Sequence, residues 1–150
     1  MDKYEIEYRL VDELMPYTNN PRDNKEAIDL VAASIKEFGF LVPVVIDKDD
    51  VLVCGHTRIL GAKKLNMKEV PTIKANALTP AQIKAFRLAD NRVAEKATWN
   101  EEMLAIELEQ LLEMDFDMKE FDFDIEELNL EEKDLTLNDE DPKRSLSDTF

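Results

Sequence analysis

The chain has 150 residues, of which 44% are apolar and 35% charged, so it is long enough for one domain with a packed core and a small appendage. A single cysteine excludes an internal disulfide framework, and a single histidine excludes zinc modules built from Cys and His ligands. The first residues lack the apolar core of a signal peptide and no apolar run approaches membrane-spanning length, so we expect a cytoplasmic protein without a membrane partner.

The formal net charge of −15 is divided unevenly along the chain. Residues 1–50 carry −6, residues 51–100 carry +6 and residues 101–150 carry −15. A basic block beside an acidic third favours an anionic ligand, a nucleotide or nucleic acid, and makes residues 58–96 the candidate DNA-contacting segment. The alternative is an ordinary solvated helix face. Because the total charge repels a polyanion, DNA binding requires the basic side chains to be segregated on one face.

The N-terminal part of the chain predicts a strand, a loop and a helix. Tyr4–Leu10 alternates loosely between apolar and polar residues and predicts a short strand. Two prolines and two asparagines in residues 15–22 predict a loop. Apolar residues at helical spacing predict a helix over Asp23–Phe38, whose first residue forms a capping-box pattern with Glu26. Gly39 is a suitable helix stop.

Three strands are predicted in the centre of the chain. Val42–Ile46 and Val51–Cys54 are apolar runs separated by the polar residues 47–50, which predicts a hairpin. The acidic turn of this hairpin also has the composition of a cation site, although acidic turns are common without one. Glu69–Ile73 predicts a further strand, and Pro71 within it favours an edge position or a bulge.

Two helices and an acidic segment follow. Thr79-Pro80-Ala81-Gln82 combines an N-cap, a proline at the first helical position and a capping-box glutamine. Asn100 is a suitable N-cap for a second helix that ends near Met114. We therefore predict a domain over residues 1–97, a helical acidic appendage over residues 98–135 and a disordered tail over residues 136–150.

The segment Cys54-Gly55-His56-Thr57-Arg58 joins a predicted strand to a predicted helix. A helix N-terminus that carries an arginine favours a bound anion, but strand–turn–helix corners are also common as plain structure. His56 is a candidate base, ligand or phosphate contact, and the alternative is a structural hydrogen-bonding residue. Cys54 ends an apolar run, which is typical of a small buried apolar side chain rather than a nucleophile.

A second candidate group is Asp90-Asn91-Arg92, which lies late in a predicted helix. A carboxylate and an amide next to each other suit a magnesium ion that is bound to phosphates, and an arginine adds positive charge. Lys84, Arg87 and Asn91 share one face of this helix by their spacing.

Several of these segments, in this order, resemble the ParB/sulfiredoxin superfamily, specifically its ParB-like N-terminal domain. The resemblance spans roughly Leu10 to Lys96. It rests on Asn19-Asn20-Pro21-Arg22, Ala33-Ser34-Ile35, Gly39-Phe40, Val42-Pro43-Val44-Val45, Gly55-His56-Thr57-Arg58, Val70-Pro71 and Asp90-Asn91-Arg92. The Gly-His-Thr-Arg variant, with a Trp-Asn start to the next helix, is most similar to phage and mobile-element proteins that often precede a DNA methyltransferase.

The resemblance implies an α/β fold, with a small mixed β-sheet packed with helices and a helical C-terminal appendage. It also implies a nucleoside triphosphate, CTP or ATP, bound with Mg²⁺, and a possible homodimer. Carried over to this chain, the implied nucleotide-binding residues are Asn20, Arg22, Gly55, Thr57, Arg58, Asn91 and Arg92. The implied metal-binding residues are Asp90 and Asn91.

Two departures from the family pattern bear on chemistry. Partition proteins usually read Gly-Glu-Arg-Arg at the corner, where this chain has His56 and Thr57 in the second and third places. Sulfiredoxins place a catalytic cysteine directly after the glycine, whereas Cys54 precedes Gly55, which argues against sulfiredoxin activity.

Three hypotheses follow from the sequence. The first is a ParB-like nucleotide-binding module in DNA processing, linked to partition or DNA methylation and working with a methyltransferase. The second is a ParB-fold enzyme, a nuclease, nucleotide hydrolase or small-molecule kinase, in which His56 or Asp90 is catalytic. The third is a protein-interaction module that uses the acidic, phenylalanine-containing C-terminal segment.

Overall fold

The computed structural model describes residues 3–20 and 25–123. The chain forms two compact units, the first ending at Lys96 and the second beginning at Ala97. In the first unit the elements are β1 (Ile6–Leu10), a 3₁₀ turn (Val11–Glu13), α1 (Ala27–Phe38), β2 (Val44–Ile46), β3 (Leu52–Cys54), α2 (His56–Lys64), β4 (Glu69–Lys74) and α3 (Pro80–Lys96). In the second unit they are α4 (Glu101–Glu113) and a 3₁₀ turn (Lys119–Phe121).

The four strands form one mixed sheet in the order β1-β4-β2-β3. β1 pairs antiparallel with β4, β4 pairs parallel with β2, and β2 pairs antiparallel with β3 as the predicted hairpin. The predicted α/β fold with a small mixed sheet is therefore confirmed. After β1 the chain crosses to the opposite edge, where Met15 forms a single parallel bridge with Val51 beside β3.

The two faces of the sheet carry separate apolar clusters. The larger one contains buried side chains from three strands and from α2, among them Val44, Leu52 and Val70, together with Ile59 and Ala62. On the other face Val53 and Ala75 pack with Ile83 of α3. Helices thus pack on both faces, as is usual for a sheet whose central strands are buried on both sides.

The position of β4 corrects one prediction. Pro71 favoured an edge strand or a bulge, but β4 is a central strand between β1 and β2. The parallel register with β2 begins at Thr72, one residue after the proline, so that ladder requires no amide hydrogen from Pro71. The antiparallel partner of Pro71 is Tyr8 of β1.

Four predicted helix ends are confirmed, among them the end of α4 at Glu113, next to Met114, and one is wrong. The Thr79 amide donates to Oε1 of Gln82 at 2.9 Å, and the Gln82 amide donates to Oγ1 of Thr79 at 3.2 Å, which is the predicted capping box. Asn100 caps α4 by accepting from the Met103 amide at 3.1 Å. Gly39 ends α1 with φ +88°. α1 itself begins at Ala27, later than predicted, and Asp23 lies outside the described residues.

Aromatic contacts organise the second unit. Trp99 and Phe123 meet edge to face with ring centroids 5.9 Å apart, and Phe116 stacks on Phe121 at 6.4 Å. The predicted appendage and tail extend beyond residue 123, so their boundaries stay predictions. In the parts of the chain that the structure describes, none of the helices has the length and apolar character needed to cross a membrane.

Candidate functional site

A cavity of about 300 Å³ lies in the first unit, where the end of β3, the N-terminus of α2 and one face of α3 meet. Most of the residues that the sequence singled out lie around it. The lining includes Asn20, Cys54, Gly55, His56, Thr57, Arg58, Arg87, Asp90 and Asn91. The tertiary structure therefore brings the corner after β3 together with the late part of α3, although about thirty residues separate them.

Gly55 makes the corner between β3 and α2 possible. Its backbone is left-handed, with φ +100° and ψ 23°, a region that favours glycine. A Cβ at this position would lie 2.4 Å from Cγ1 of Val44, so the close packing of β2 also requires glycine. The first turn of α2 carries no acidic residue, so its free amide groups and the helix dipole give this end of the cavity a positive potential.

Arg58 adds a guanidinium from the first turn of α2. It donates from one terminal nitrogen to the Pro43 carbonyl at 3.1 Å, while its Nε is buried and has no hydrogen-bond partner. Burial lowers the pKa of Arg58, and the neighbouring Cys54 and Asp90 partly offset this effect. A partly desolvated cation with an unused donor is well suited to bind an anion.

Arg87 is a site residue that the sequence reasoning placed only on a basic helix face. Its side chain is buried, with 7% of the residue exposed, and one terminal nitrogen donates to the Leu52 carbonyl at 3.0 Å. The guanidinium lies 3.6 Å from the centroid of the Tyr17 ring, and its Nε has no hydrogen-bond partner. One signal could have found it: Arg87 follows the core residue Ile83 by four positions, on the same face of α3.

Tyr17 and Arg87 also stand beside a second cavity, of about 590 Å³, which lies toward the β2–β3 turn. Arg87 lines both cavities, and the Tyr17 ring covers its guanidinium from the side of the second one. This pair of side chains therefore forms a wall between the two cavities.

His56 is held as a hydrogen-bond acceptor. Its Nε2 accepts from the backbone amide of Tyr17 at 3.2 Å. Burial lowers the pKa of His56, and the positive charge of Arg87 lowers it further. The imidazole is therefore neutral near pH 7, with its proton on Nδ1. Its Nε2, the unprotonated nitrogen that would act as a general base, already accepts the hydrogen bond from Tyr17. This geometry matches the structural alternative for His56.

Asp90 lies beside Cys54, whose Sγ donates to Oδ2 at 3.6 Å. Burial, together with the Asp90 carboxylate, raises the pKa of the Cys54 thiol to about 11. The thiol is therefore protonated at physiological pH, which disfavours a nucleophilic role for Cys54.

Three other predicted residues differ in placement. Asn91 lines the cavity and donates from Nδ2 to the Arg87 carbonyl at 2.9 Å. Arg92 points away from it: its side chain is 70% exposed and pairs with Glu95 at 3.4 Å, because residues 91 and 92 lie about 100° apart on the helix. Arg22 lies outside the described residues.

Two acidic side chains of the hairpin turn, those of Asp47 and Asp50, have structural partners. Oδ1 of Asp47 accepts from the amides of Asp49 and Val51. Asp50 forms two hydrogen bonds with the Arg9 guanidinium, at 2.9 and 2.7 Å, which lowers the pKa of its carboxyl. Within residues 3–20 and 25–123, no three His, Cys, Asp or Glu side chains lie close enough together to hold a metal ion by themselves.

Residues 2–92 match the family described as the ParB N-terminal domain. The chain belongs to this family. Within the ParB N-terminal domain, the matched segment contains β1 to β4, the Gly55 corner and most of α3.

Two relatives show how far the similarity of this ParB N-terminal domain extends. The ParB-like nuclease domain-containing protein YnaK of Escherichia coli K12 is 39% identical over 82 residues, which is 54% of this chain and 94% of the relative. The probable chromosome-partitioning protein ParB of Campylobacter jejuni is 37% identical over 65 residues, 40% of this chain and only 23% of that protein.

Solved structures share the fold. The C-terminally truncated chromosome-partitioning protein ParB of Caulobacter crescentus, in complex with CTP-γ-S, has a TM-score of 0.64 at 20% identity, over 73% of this chain and 64% of that one. A Pnob8-like ParB-N domain has a TM-score of 0.50 at 23% identity, over 75% of this chain and 48% of that one. The chain thus spans less than two thirds of either structure.

Proposed function

We propose that this ParB N-terminal domain binds a nucleoside triphosphate, with the phosphates in the cavity at the N-terminus of α2. The observation that carries the proposal is the presence of two arginines, Arg58 and Arg87, each with a buried Nε that has no partner, beside a helix N-terminus. Buried cationic donors without partners are costly, and phosphate oxygens would satisfy them.

Both backbone groups and side chains would contact the phosphates of the nucleotide. The amides that follow Gly55 would donate to phosphate oxygens, as would the Thr57 hydroxyl, and Arg58 would neutralise charge. Asn20, from the first loop, also lines this cavity. The Caulobacter protein of the same fold was solved with CTP-γ-S, which supports CTP as the first nucleotide to test, with ATP as the alternative.

Asp90 is the residue that would hold a magnesium ion. It contributes the one carboxylate among the described residues that line this cavity, so the ion would take most of its ligands from phosphate oxygens and water. This is the usual way in which Mg²⁺ is bound next to nucleotide phosphates. When bound, the ion would neutralise phosphate charge.

The test is isothermal titration of the full chain with CTP, ATP and ADP in the presence of magnesium. We expect saturable binding that weakens at least about 10-fold in Arg58→Ala, the loss of about one charged hydrogen bond. Arg92→Ala is the matched control, because it removes the same charge from an exposed position. Absence of wild-type binding at millimolar nucleotide would refute the proposal, as would equal losses in both variants.

We also propose a role in DNA processing, in partition or with a DNA methyltransferase. The similarity to the Campylobacter partitioning protein supports the first, and the motif resemblance supports the second. The basic residues within 58–96 include two exposed lysines, Lys63 in the last turn of α2 and Lys68 in the loop before β4. If they contact DNA, a double change to glutamine should flatten the dependence of affinity on salt by about two phosphate contacts in a gel-shift titration. An unchanged slope of affinity against salt would show that Lys63 and Lys68 do not contact DNA phosphates.

A nuclease is the second candidate function, because the Escherichia coli relative carries that description. Asp90 would then be the catalytic carboxylate, with a divalent metal ion. Plasmid nicking that is lost in Asp90→Asn and retained in His56→Gln would support it. Nucleotide binding without nicking would leave the binding module as the function.

A further inference from the structure

β1 forms an open edge of the sheet. Among the described residues, β4 is the strand that pairs with β1, and no other strand lies on its outer side. The strand is five residues long, contains no proline and keeps a continuous register with β4. It therefore lacks two of the usual protections of an edge strand, a proline and a bulge.

The register with β4 decides which backbone groups of β1 face outward. Tyr8 is opposite Pro71, which has no amide hydrogen, so this pair cannot be a hydrogen-bonded pair of the antiparallel ladder. The Val11 amide donates to the Lys68 carbonyl at 2.9 Å, which continues the same register and shows that the odd-numbered residues bond inward. The N–H and C=O groups of Ile6, Tyr8 and Leu10 therefore point toward the open edge.

The same three residues expose apolar side chains. Ile6 is 58% exposed, Tyr8 66% and Leu10 45%, and their side chains share one face of β1 because side chains alternate along a strand. Glu7 and Arg9 lie on the other face. An outward row of hydrogen-bonding groups with an apolar row beside it is the surface that strand addition uses.

The charges of Glu7 and Arg9 favour a second copy of β1 as the partner, and they also favour one register. Arg9 already binds Asp50 and Glu13 in its own chain, so Glu7 of the second copy would share this guanidinium with them. In an antiparallel pair centred on Tyr8, Ile6 would be opposite Leu10 of the second copy and Glu7 would be opposite its Arg9. Centring the pair on Glu7 or on Arg9 would instead place like charges directly opposite each other, which is destabilising. In the Tyr8-centred register each of the three apolar residues also enters a hydrogen-bonded pair.

We propose that two copies of this chain pair through β1, antiparallel and with the two-fold axis at Tyr8, to form one continuous eight-stranded sheet. Six backbone hydrogen bonds and two reciprocal Glu7–Arg9 contacts would join the copies. The contact is small, so we expect a weak, concentration-dependent dimer. It involves no residue of the proposed nucleotide site and can be tested without nucleotide.

Cysteine cross-linking of the full chain tests the register. In Tyr8→Cys the two cysteines would be opposite each other with Cα atoms about 5.5 Å apart, within disulfide range. In the control Glu5→Cys the two would be separated by six residues along the strands, roughly 20 Å. We expect mild oxidation to convert most of the Tyr8→Cys chain to a covalent dimer and to leave Glu5→Cys and the wild type mostly monomeric. Equal cross-linking of both variants, or none, would overturn the proposal.

Charge reversal tests the contacts by a second route. Analytical ultracentrifugation of wild type over a concentration series should show a monomer–dimer equilibrium, and Glu7→Arg should shift it to monomer. Arg9→Glu should do the same. An equimolar mixture of the two variants should restore the dimer, because each Arg then faces a Glu. Circular dichroism of each variant checks folding, since Arg9 also binds Asp50. A dimer that persists in Glu7→Arg, or a mixture that stays monomeric while both variants are folded, contradicts the register.

Discussion

The backbone amide of Tyr17 donates a hydrogen bond to Nε2 of His56 over 3.2 Å and so ties the first loop of the domain to the first residue of α2. The bond requires an unprotonated Nε2. Burial and the charge of Arg87 stabilise the same neutral state. The histidine therefore helps to hold the loop that carries Asn20 against the proposed phosphate site.

The first prediction concerns pH. The pKa of His56 is lower in the folded state than its ordinary value of 6.5, so the unfolded chain binds the proton more readily. The stabilisation is present above pH 6.5 and is lost as the pH falls through the lowered folded-state pKa. In urea unfolding, wild type should have a higher unfolding free energy than His56→Gln above pH 6.5. This difference should shrink as the pH falls through the interval. A difference that is constant with pH would contradict the prediction.

The second prediction concerns the corner glycine. Gly55→Ala should lower the unfolding free energy by about 3 kcal/mol, because it adds backbone strain and places a methyl group against Val44. Gly39→Ala is the matched control: Gly39 also has a positive φ of +88°, but a Cβ there meets nothing within 4 Å. It should cost about 1–2 kcal/mol, from backbone strain alone. Equal losses in the two variants, measured by chemical denaturation, would show that the contact with Val44 is unimportant.

The third prediction compares two arginines of α3. Arg87→Met removes the stacking on Tyr17 and the hydrogen bond to Leu52, and should cost about 2 kcal/mol of stability. Arg92→Met, at an exposed position, should change stability by less than about 0.5 kcal/mol. Thermal unfolding followed by circular dichroism separates the two. If Arg87→Met is as stable as wild type, the guanidinium is not needed for folding.

The fourth prediction concerns thiol reactivity. Because the pKa of Cys54 is raised to about 11, its reaction with a disulfide reagent at pH 8 should be about 100-fold slower than in the chain unfolded in urea. Asp90→Asn should speed the reaction in the folded chain, because one cause of the raised pKa is removed. A reaction as fast as in the unfolded chain would show that the thiol is neither buried nor paired with Asp90.

Features that depend on neighbouring residues were predictable. The capping box of Thr79 and Gln82, the Asn100 cap and the β2–β3 hairpin each involve groups a few positions apart, and the structure confirms them. The motif order also predicted the family. The edge position assigned to β4 was wrong, because one proline was weighed without the register that accommodates it.

By itself, the sequence determined the turns, the caps, the hairpin and the glycine at the corner, since backbone conformation there depends on local residue type. Tertiary structure alone decided that Arg87 is buried under Tyr17, that His56 is an acceptor and that β1 leaves an edge open. The Leu52–Arg87 and Tyr17–His56 bonds join residues 35 and 39 positions apart, and such partners are set by how the strands and helices pack.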